Sequence, residues 1–515
     1  MTRTDAKHGV LSRHDALRAL REAGIDARWL REPVRDQGHG VSIDSRAVEA
    51  GNLFVALRGE RTDGHLFLSD AARADAWAAM VERADVEIPA DGVANGMGVL
   101  LVPDARAALV ALARAHRGRL ADAGTRVIGL TGSVGKTTTT RLIHGVLSTT
   151  LSGTCPRKSF NNMLGVPITL LGARAGDGYV VCEIGTSSPG EIAALADVAL
   201  PDCGLVISVG HAHLEKLGSL DGVAKEKASL LQHVRAGGLR VVRADTPLLL
   251  PHARAIAREG GAPLVTYALA DSGVPADHLV SDVRTDDAGV SFTLSGFGEL
   301  RAGVVGAHNA LNAAAAAIVA RWAGLNDASI RAGLQNARGA EMRMELCAFG
   351  GVRVIDDAYN ANPDSMLAGV RTLVDLAEIP ESTPRAVAIL GDMGELGPDS
   401  DALHQRVLGA TLEEPKIALV IVIGSRMATA ADRLRARRSS SSANRLIVAG
   451  ALDDVVAKEV AARTLAGDLV LVKASRSTGL ERVVRAIQAI HAPSTTDTPS
   501  ARASGTPHLP AHAAR

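Results

Sequence analysis

Lys136 and Thr137 follow Thr131-Gly132-Ser133-Val134-Gly135, and an apolar run, Val127 to Leu130, precedes that turn. Glycines let backbone N–H groups turn inward around phosphate oxygens, and the N-terminus of a following helix adds partial positive charge. A lysine at 136 reaches terminal phosphates, and the Thr137 hydroxyl can ligate Mg²⁺. The residues from Gly132 through Ser133, Val134, Gly135, Lys136 and Thr137 to Thr138 therefore read as a phosphate-binding loop. The consensus G-x-x-x-x-G-K-[ST] is met except at its first position, where Leu130 stands instead of glycine. A glycine-containing strand–helix turn is the plainer alternative.

Other residues could share that chemistry. Tyr179 to Ile184 reads as a second buried strand ending on Glu183. An acid at the carboxyl end of a strand in such a fold sits where a metal sits; an exposed acid at a strand end is the plainer, lesser alternative. After a third apolar run, Leu205 to Val209, come His211 and His213, either of which could be a metal ligand or a loop residue. Lys225 and Lys227 lie in a helical stretch whose charges would by default face solvent. Asn309 and Asn312 share one helix face, three residues apart, with simple N-capping as the alternative.

The elements that must position these groups follow from pattern and composition. The 515 residues carry 56 Lys+Arg against 56 Asp+Glu, so no global charge favours nucleic acid or an anionic membrane surface. Aromatic residues make up 2% of the chain, too few for base stacking along a strand. The four cysteines, Cys155, Cys182, Cys203 and Cys347, form no C-x-x-C pair, so neither a zinc site nor a disulfide framework is expected. No run of about 18 apolar residues and no apolar leader appears, which points to a cytoplasmic protein that does not span a membrane.

Along the chain, a short helix at Ala16 to Glu22, a strand within Gly51 to Gly59, a helix over Leu66 to Ala79 and a strand near Gly98 to Val102 form a small α/β domain, residues 1–106. A mixed-charge helix, Ala105 to Ala121, leads to the phosphate loop. The central domain is expected over 107–325, with strands and hairpins from Pro263 to Val305 and an alanine-rich helix running to about Ala323. Residues 326–492 should form a third domain. Its apolar runs, Val352 to Ile355, Ala386 to Leu390, Ala418 to Ile423, Leu446 to Val448 and Leu469 to Val472, alternate with helical segments, as in a parallel Rossmann-like sheet. It lacks G-x-G-x-x-G after its first strand, so dinucleotide binding is not expected. Arg435 to Arg445, with four consecutive serines, reads as a flexible loop, and 493–515 as a disordered tail.

The ordered set of motifs resembles the Mur ligases, the ATP-dependent amide-forming enzymes of peptidoglycan precursor synthesis. The likeness runs through DSR at 44–46, LFVALRGERTDGH at 53–65, TGSVGKTTT at 131–139, FNNMLGVPITLL at 160–171 and AHLEKLGSLDGVAKEKASL from Ala212. It continues in GAHNALNAAAA from Gly306, DDAYNANPDSM at 356–366, GDMGELG at 391–397 and KASRS at 473–477. Within the family the chain is most similar to members that join D-alanyl-D-alanine to a UDP-linked muramoyl tripeptide through an acyl phosphate. The resemblance implies ATP and two Mg²⁺ ions, with Lys136, Glu183, His213, Lys227 and Arg343 as catalytic residues. It implies metal ligation by Thr137, Glu183, His213 and a carbamylated Lys227, with Lys225 the rival for that modification. It further implies Asn309 and Asn312 near adenine, and Arg343 and Asp357 closing on the nucleotide from the third domain, about a hinge at Gly324 to Asn326. Ser45 and Arg46 would lie near the uridine diphosphate, Asn161 and Asn162 would bind substrate, and Lys473 and Arg476 would face the incoming dipeptide. A monomer acting on small molecules is expected.

Three places depart from the subgroup's pattern: Thr186-Ser187-Ser188, where Ala-Asn is usual; Ser208-Val209 before the histidines, where Thr-Asn is common; and Ala474 in place of a glycine. They leave open a paralogue that joins another acid and amine. A non-catalytic nucleotide-binding paralogue and a P-loop kinase are the remaining alternatives.

Overall fold

The computed structural model describes residues 11–60, 62–87, 90, 94–156, 159–211, 214–379, 384–436 and 445–492. His213, most of the expected serine-rich loop and the expected C-terminal tail lie outside them. Three sheets of five or more strands organise the described chain, beside a two-stranded pairing of Leu11–Ser12 with Gln37–Gly38.

The N-terminal sheet has five strands, running from Arg28–Arg31 at one edge through Gly98–Leu101, Ala78–Val81 and Leu53–Val55 to Val41–Ser42. Ala78–Val81 corrects the helix expected to run to Ala79. The helical part ends at Arg73, and the small side chains beyond it are wholly buried in a strand paired on both sides. Alanine's helix propensity is a weak prior that such pairing overrides. Helix α1, Ala105–Asp122, opens on Asp104, whose carboxylate accepts the Arg106 and Ala107 N–H groups, and packs against helices of the middle unit.

The middle unit is built on a nine-stranded sheet in which β1, Arg126–Thr131, stands third from one edge. Its continuous apolar sequence suits a strand buried on both faces. On one side of it lie β2, Tyr179–Glu183, and the edge strand Gly153–Thr154; on the other, β3, Cys203–Val206, then Leu239–Arg243, Leu264–Leu269 and His278–Asp286, all parallel. Antiparallel pairings with Gly289–Leu294 and Gly298–Ala302 close the sheet as expected hairpins. The chain reverses direction across the sheet between β2 and β3, so the crevice outside the carboxyl end of β1 is a switch point, the place where open α/β sheets bind ligands.

Helices cover this sheet in chain order: α2, Lys136–Leu147; α3, Gly165–Leu171; α4, Glu191–Ala199; α5, Leu220–Ala228; α6, Asn309–Trp322; and α7, Asp327–Asn336. Helix α6 is buried all round its first three turns, apolar there except for Asn309 and Asn312, and it packs on α2. Helix α7 corrects both the boundary at 325/326 and the hinge. Asn326 caps α7 by accepting the Ser329 N–H at 2.9 Å, and Ile330, Leu334 and Ala337 belong to the same core as β1 and α2. Gly324 to Asn326 is therefore a tight helix–helix turn inside the middle unit. The crossing to the third unit falls at 338–344, where Met342 and Met344 take positive φ of 57° and 55°.

The C-terminal sheet has six strands. Five are the expected parallel ones, including β5, Val352–Asp357, and β6, Leu469–Lys473. The sixth, β4, Glu345–Phe349, pairs antiparallel to β5 at the edge and was not expected; its apolar run, Leu346 to Phe349, is short and none of its residues is fully buried. Helix α8, Pro363–Ala377, follows β5 with proline in its first turn and a reciprocal capping box between Asn362 and Ser365.

Candidate active site

At the end of β1 the chain turns through Gly132 to Gly135 into α2. Gly135 has φ +82°, and a Cβ there would stand 2.8 Å from Asn312 Oδ1, so both torsion and space demand glycine. The first N–H groups of α2 face the crevice with the positive end of its dipole. The Lys136 ammonium folds back to donate to the Gly132 carbonyl at 2.7 Å. Burial pulls its pKa below the ordinary lysine value, Glu183 opposing the shift and Arg343 adding to it. The loop is braced from just beyond β3: Ser208 Oγ accepts the Val134 N–H at 2.9 Å and donates to the Val134 carbonyl at 2.8 Å.

Glu183 pairs in register with Leu130, which places its carboxylate beside the loop. It is 1% exposed, so the exposed strand-end alternative fails. Thr137 Oγ1 donates to Glu183 Oε2 at 2.7 Å, and Asn161 Nδ2 to Oε1 at 2.9 Å. A hydroxyl and a carboxylate converging at a helix N-terminus suit a hard divalent cation beside phosphate. Lys227 and Lys225 separate cleanly. Lys225 is exposed, whereas Lys227 is 1% exposed. Burial, with Lys136 next in weight, holds Lys227 well below the usual lysine value, so its amine tends to the neutral form. Among the described residues no three His, Cys, Asp or Glu side chains gather into a metal cluster. His211 is described: its N–H and ring face Asp364 of the C-terminal unit.

The C-terminal unit closes the other side. A cavity of about 740 Å³ lies between the units, walled by Gly135, Thr138, Asn309 and Asn312 from one and by Arg343, Asp357, Asn360 and Lys473 from the other. That volume suits a nucleotide-sized ligand. Asn309 and Asn312 do not cap α6. Asn309 Nδ2 donates to the Val305 carbonyl at 2.7 Å, and Asn312 Nδ2 donates to Asn309 Oδ1 at 2.7 Å. Arg343 lies with Cζ 4.1 Å from the Tyr359 ring centre and donates from Nη2 to Ser159 Oγ at 3.0 Å. Asp357 and Lys473 are register partners on β5 and β6, and the Lys473 ammonium meets Asp357 Oδ2 at 2.6 Å. Burial pushes the Asp357 carboxyl up, with Lys473 opposing.

Of the other expected residues, Ser45, Arg46, Asn162 and Arg476 do not line this cavity. Ser45 and Arg46 stand in a short 3₁₀ turn of the N-terminal unit, with Arg46 forked onto Asp44 at 2.9 and 2.8 Å. Asn162 Oδ1 accepts the N–H groups of Leu164 and Gly165, opening α3. Arg476 is on the surface, 5.8 Å from the Tyr359 ring centre, while Lys473 is buried against Asp357 and does not face solvent. Sequence reading passed over Ser159, Tyr359 and Asp364, and marked Ser208 only as a departure from the subgroup's pattern. Ser159 adjoined a recognised motif and Tyr359 and Asp364 lay in a quoted stretch, but nothing local set these three apart. The departures are accommodated locally. The N–H groups of Ser187 and Ser188 donate to Glu191 at the start of α4, and the Ala474 methyl packs where Gly391 leaves room.

A phosphate loop on a parallel sheet, an acid at the neighbouring strand end and a second α/β unit closing over the nucleotide cavity define a three-unit P-loop enzyme. The profile described as Mur ligase family, catalytic domain, matches residues 37–117; Mur ligase middle domain matches 130–320; and Mur ligase, glutamate ligase domain, matches 342–476. The chain belongs to the Mur ligase family. It is 36% identical over 476 residues to the UDP-N-acetylmuramoyl-tripeptide–D-alanyl-D-alanine ligase of Mycobacterium tuberculosis, covering 87% of this chain and 92% of that one. Its fold is similar to a crystal structure of MurF from Acinetobacter baumannii, with TM-score 0.76 and 27% identity over 92% of this chain and 98% of that one. It is also similar to the MurF ligase of Thermotoga maritima in complex with ADP, with TM-score 0.70 and 26% identity over 88% and 97% of the two chains.

Proposed function

We propose that this chain is an ATP-dependent ligase that joins D-alanyl-D-alanine to UDP-N-acetylmuramoyl-tripeptide in peptidoglycan precursor synthesis. The observation that carries the reading is the relationship to ligases of that name over nearly their whole length, with the phosphate loop and Glu183 in place. A carboxylate is a poor electrophile in water. In the reaction the tripeptide's terminal carboxylate oxygen bonds to the γ-phosphorus of ATP as the bond to the β-phosphate oxygen breaks and ADP departs. The dipeptide amine then attacks the acyl carbon, loses a proton, and phosphate leaves with the C–O bond.

This chain's residues hold three anionic partners together. The α2 N–H groups and Lys136 bind phosphate oxygens, and Arg343, steadied by Tyr359 and Ser159, adds positive charge from the C-terminal side. Asn309 and Asn312 flank the base, and Asp357 with Lys473 forms the cavity's far wall. Closure of the C-terminal unit keeps water from the acyl phosphate. Thr137 and Glu183 would hold one Mg²⁺, and His213 with carbamylated Lys227 a second; the ions supply charge neutralisation on the phosphoryl oxygens. The burial of Lys227 supports its modification, because a neutral amine adds to CO₂ and gives up a proton to become an anionic carbamate. Ser45 and Arg46 receive the uridine diphosphate, Asn161 and Asn162 the peptide-bearing substrate, and exposed Arg476 the dipeptide. The reading includes a cytoplasmic monomer that binds neither nucleic acid nor membrane; no helix among the described residues is long and apolar enough to cross one.

The test is phosphate release from ATP with each substrate omitted in turn. Release that requires both substrates, with a UDP-linked pentapeptide seen by mass spectrometry, supports the reading. Phosphate transfer without an amine would indicate a kinase instead. Nucleotide binding without turnover would indicate a silent paralogue or another acid–amine pair.

A further inference from the structure

The turn Ser208-Val209-Gly210-His211 departs from the subgroup's usual residues and takes no part in the reaction above. It touches two units at once. On one side Ser133 Oγ accepts the Gly210 N–H at 2.9 Å and donates toward the Gly210 carbonyl at 3.3 Å, while the Ser133 N–H donates to the Ser208 carbonyl at 3.1 Å. On the other side Asp364, in the first turn of α8, accepts the His211 N–H on Oδ2 at 3.0 Å, with His211 Nδ1 3.3 Å from the same oxygen.

Gly210 shows what this contact requires. Its backbone is not among the left-handed glycines, so torsion does not demand glycine there. Space does: a Cβ at 210 would stand 2.4 Å from Asp364 Oδ2. Nor is Asp364 needed to cap its own helix, because Asn362 and Ser365 already close a reciprocal capping box.

We propose that Asp364 is a positioning residue: its carboxylate seats in the space left by Gly210 when the C-terminal unit docks, and through Gly210 and Ser133 it sets the phosphate loop. Docking of the C-terminal unit is thereby coupled to the shape of the loop that holds phosphate. The activity arm of the test rests on the ligase reading; the shape arm does not.

The experiment compares the full chain with Asp364→Ala, Asp364→Asn, Gly210→Ala and the double variant Gly210→Ala/Asp364→Ala. Small-angle scattering without substrates gives the radius of gyration, and steady-state assays give KM for ATP and kcat. A hydrogen bond to a charged but half-exposed acceptor leads us to expect KM for ATP to rise roughly five- to tenfold in Asp364→Ala, with kcat changed less than about twofold. Asp364→Asn, which keeps an oxygen acceptor and the shape, recovers most of the loss and covers the case in which the alanine variant misfolds. Gly210→Ala, away from the cavity wall, puts a methyl where the Asp364 carboxylate sits and displaces it, so that, like Asp364→Ala, it loosens docking and enlarges the particle. The double variant is then no worse than Asp364→Ala alone, the non-additivity expected of two groups in contact. Unchanged radii in Asp364→Ala and Gly210→Ala, or multiplying effects in the double, overturn the proposal. If even the wild-type chain fails to turn over these substrates, the ligase reading fails while the radii still decide the contact.

Discussion

Lys473 was expected to face the incoming dipeptide, yet it stands buried against Asp357, 2.6 Å away, with 2% and 12% of the two side chains exposed. Removing one partner of a buried pair strands the other charge, at a cost of about 3–5 kcal/mol. Burial already pushes the Asp357 carboxyl up, so in Lys473→Met it takes up a proton and the loss falls near the lower end, about 3 kcal/mol. The three tryptophans, Trp29, Trp77 and Trp322, lie outside the C-terminal sheet, so fluorescence is a poor probe. Hydrogen exchange of the amides in β5 and β6 reads local opening directly. A loss of about 3 kcal/mol speeds exchange there by roughly a hundredfold, at 1.36 kcal/mol per decade. Lys473→Met/Asp357→Asn removes both charges and restores most of the protection, to within about 1 kcal/mol. The reasoning is refuted if Lys473→Met leaves exchange unchanged and only raises KM for D-alanyl-D-alanine. That outcome would return Lys473 to the dipeptide.

Lys227→Ala should lose at least about a hundredfold in kcat, whereas Lys225→Ala, at an exposed position, should stay within about twofold in the same phosphate-release assay. Gly135→Ala forces a side chain into left-handed backbone, about 1–2 kcal/mol, and drives its methyl into Asn312; nucleotide affinity by calorimetry should fall at least about tenfold. Buried His116 is held neutral, its pKa pulled down to about 4 chiefly by burial. Because its folded pKa lies below its unfolded one, its contribution is full above about pH 6.5 and is lost as pH falls through 4, a total of about 3 kcal/mol. His116→Gln should flatten that limb of the urea-denaturation stability profile.

The phosphate loop was legible from sequence because its signal is local: glycines, lysine and threonine at fixed spacing between a buried strand and a helix. The apolar strands of both large sheets, the hairpins after Pro263 and the buried helix from Asn309 were legible for the same reason. Placement beyond one element's reach was not. Ala78 and Ala79 read as helix because alanine favours it, and only strands on both sides made them β. Helix α7 was assigned to the wrong unit because its apolar face carries no mark of which core it will enter.

The sequence by itself determined the chemistry on offer: a loop for phosphate, an acid at the next strand end, two candidate lysines and two candidate histidines. The tertiary structure decided which members of that set meet. Lys225 and Lys227 are two residues apart on one helix, and only the packing of α5 buries one and exposes the other. Asp357 and Lys473 are 116 residues apart and are paired by parallel register. Asp364 reaches His211 across 153 residues, through a gap that a missing Cβ leaves open. Local spacing specifies what a side chain can do, but desolvation and partnership depend on groups brought from elsewhere in the chain, and these set its charge and its role.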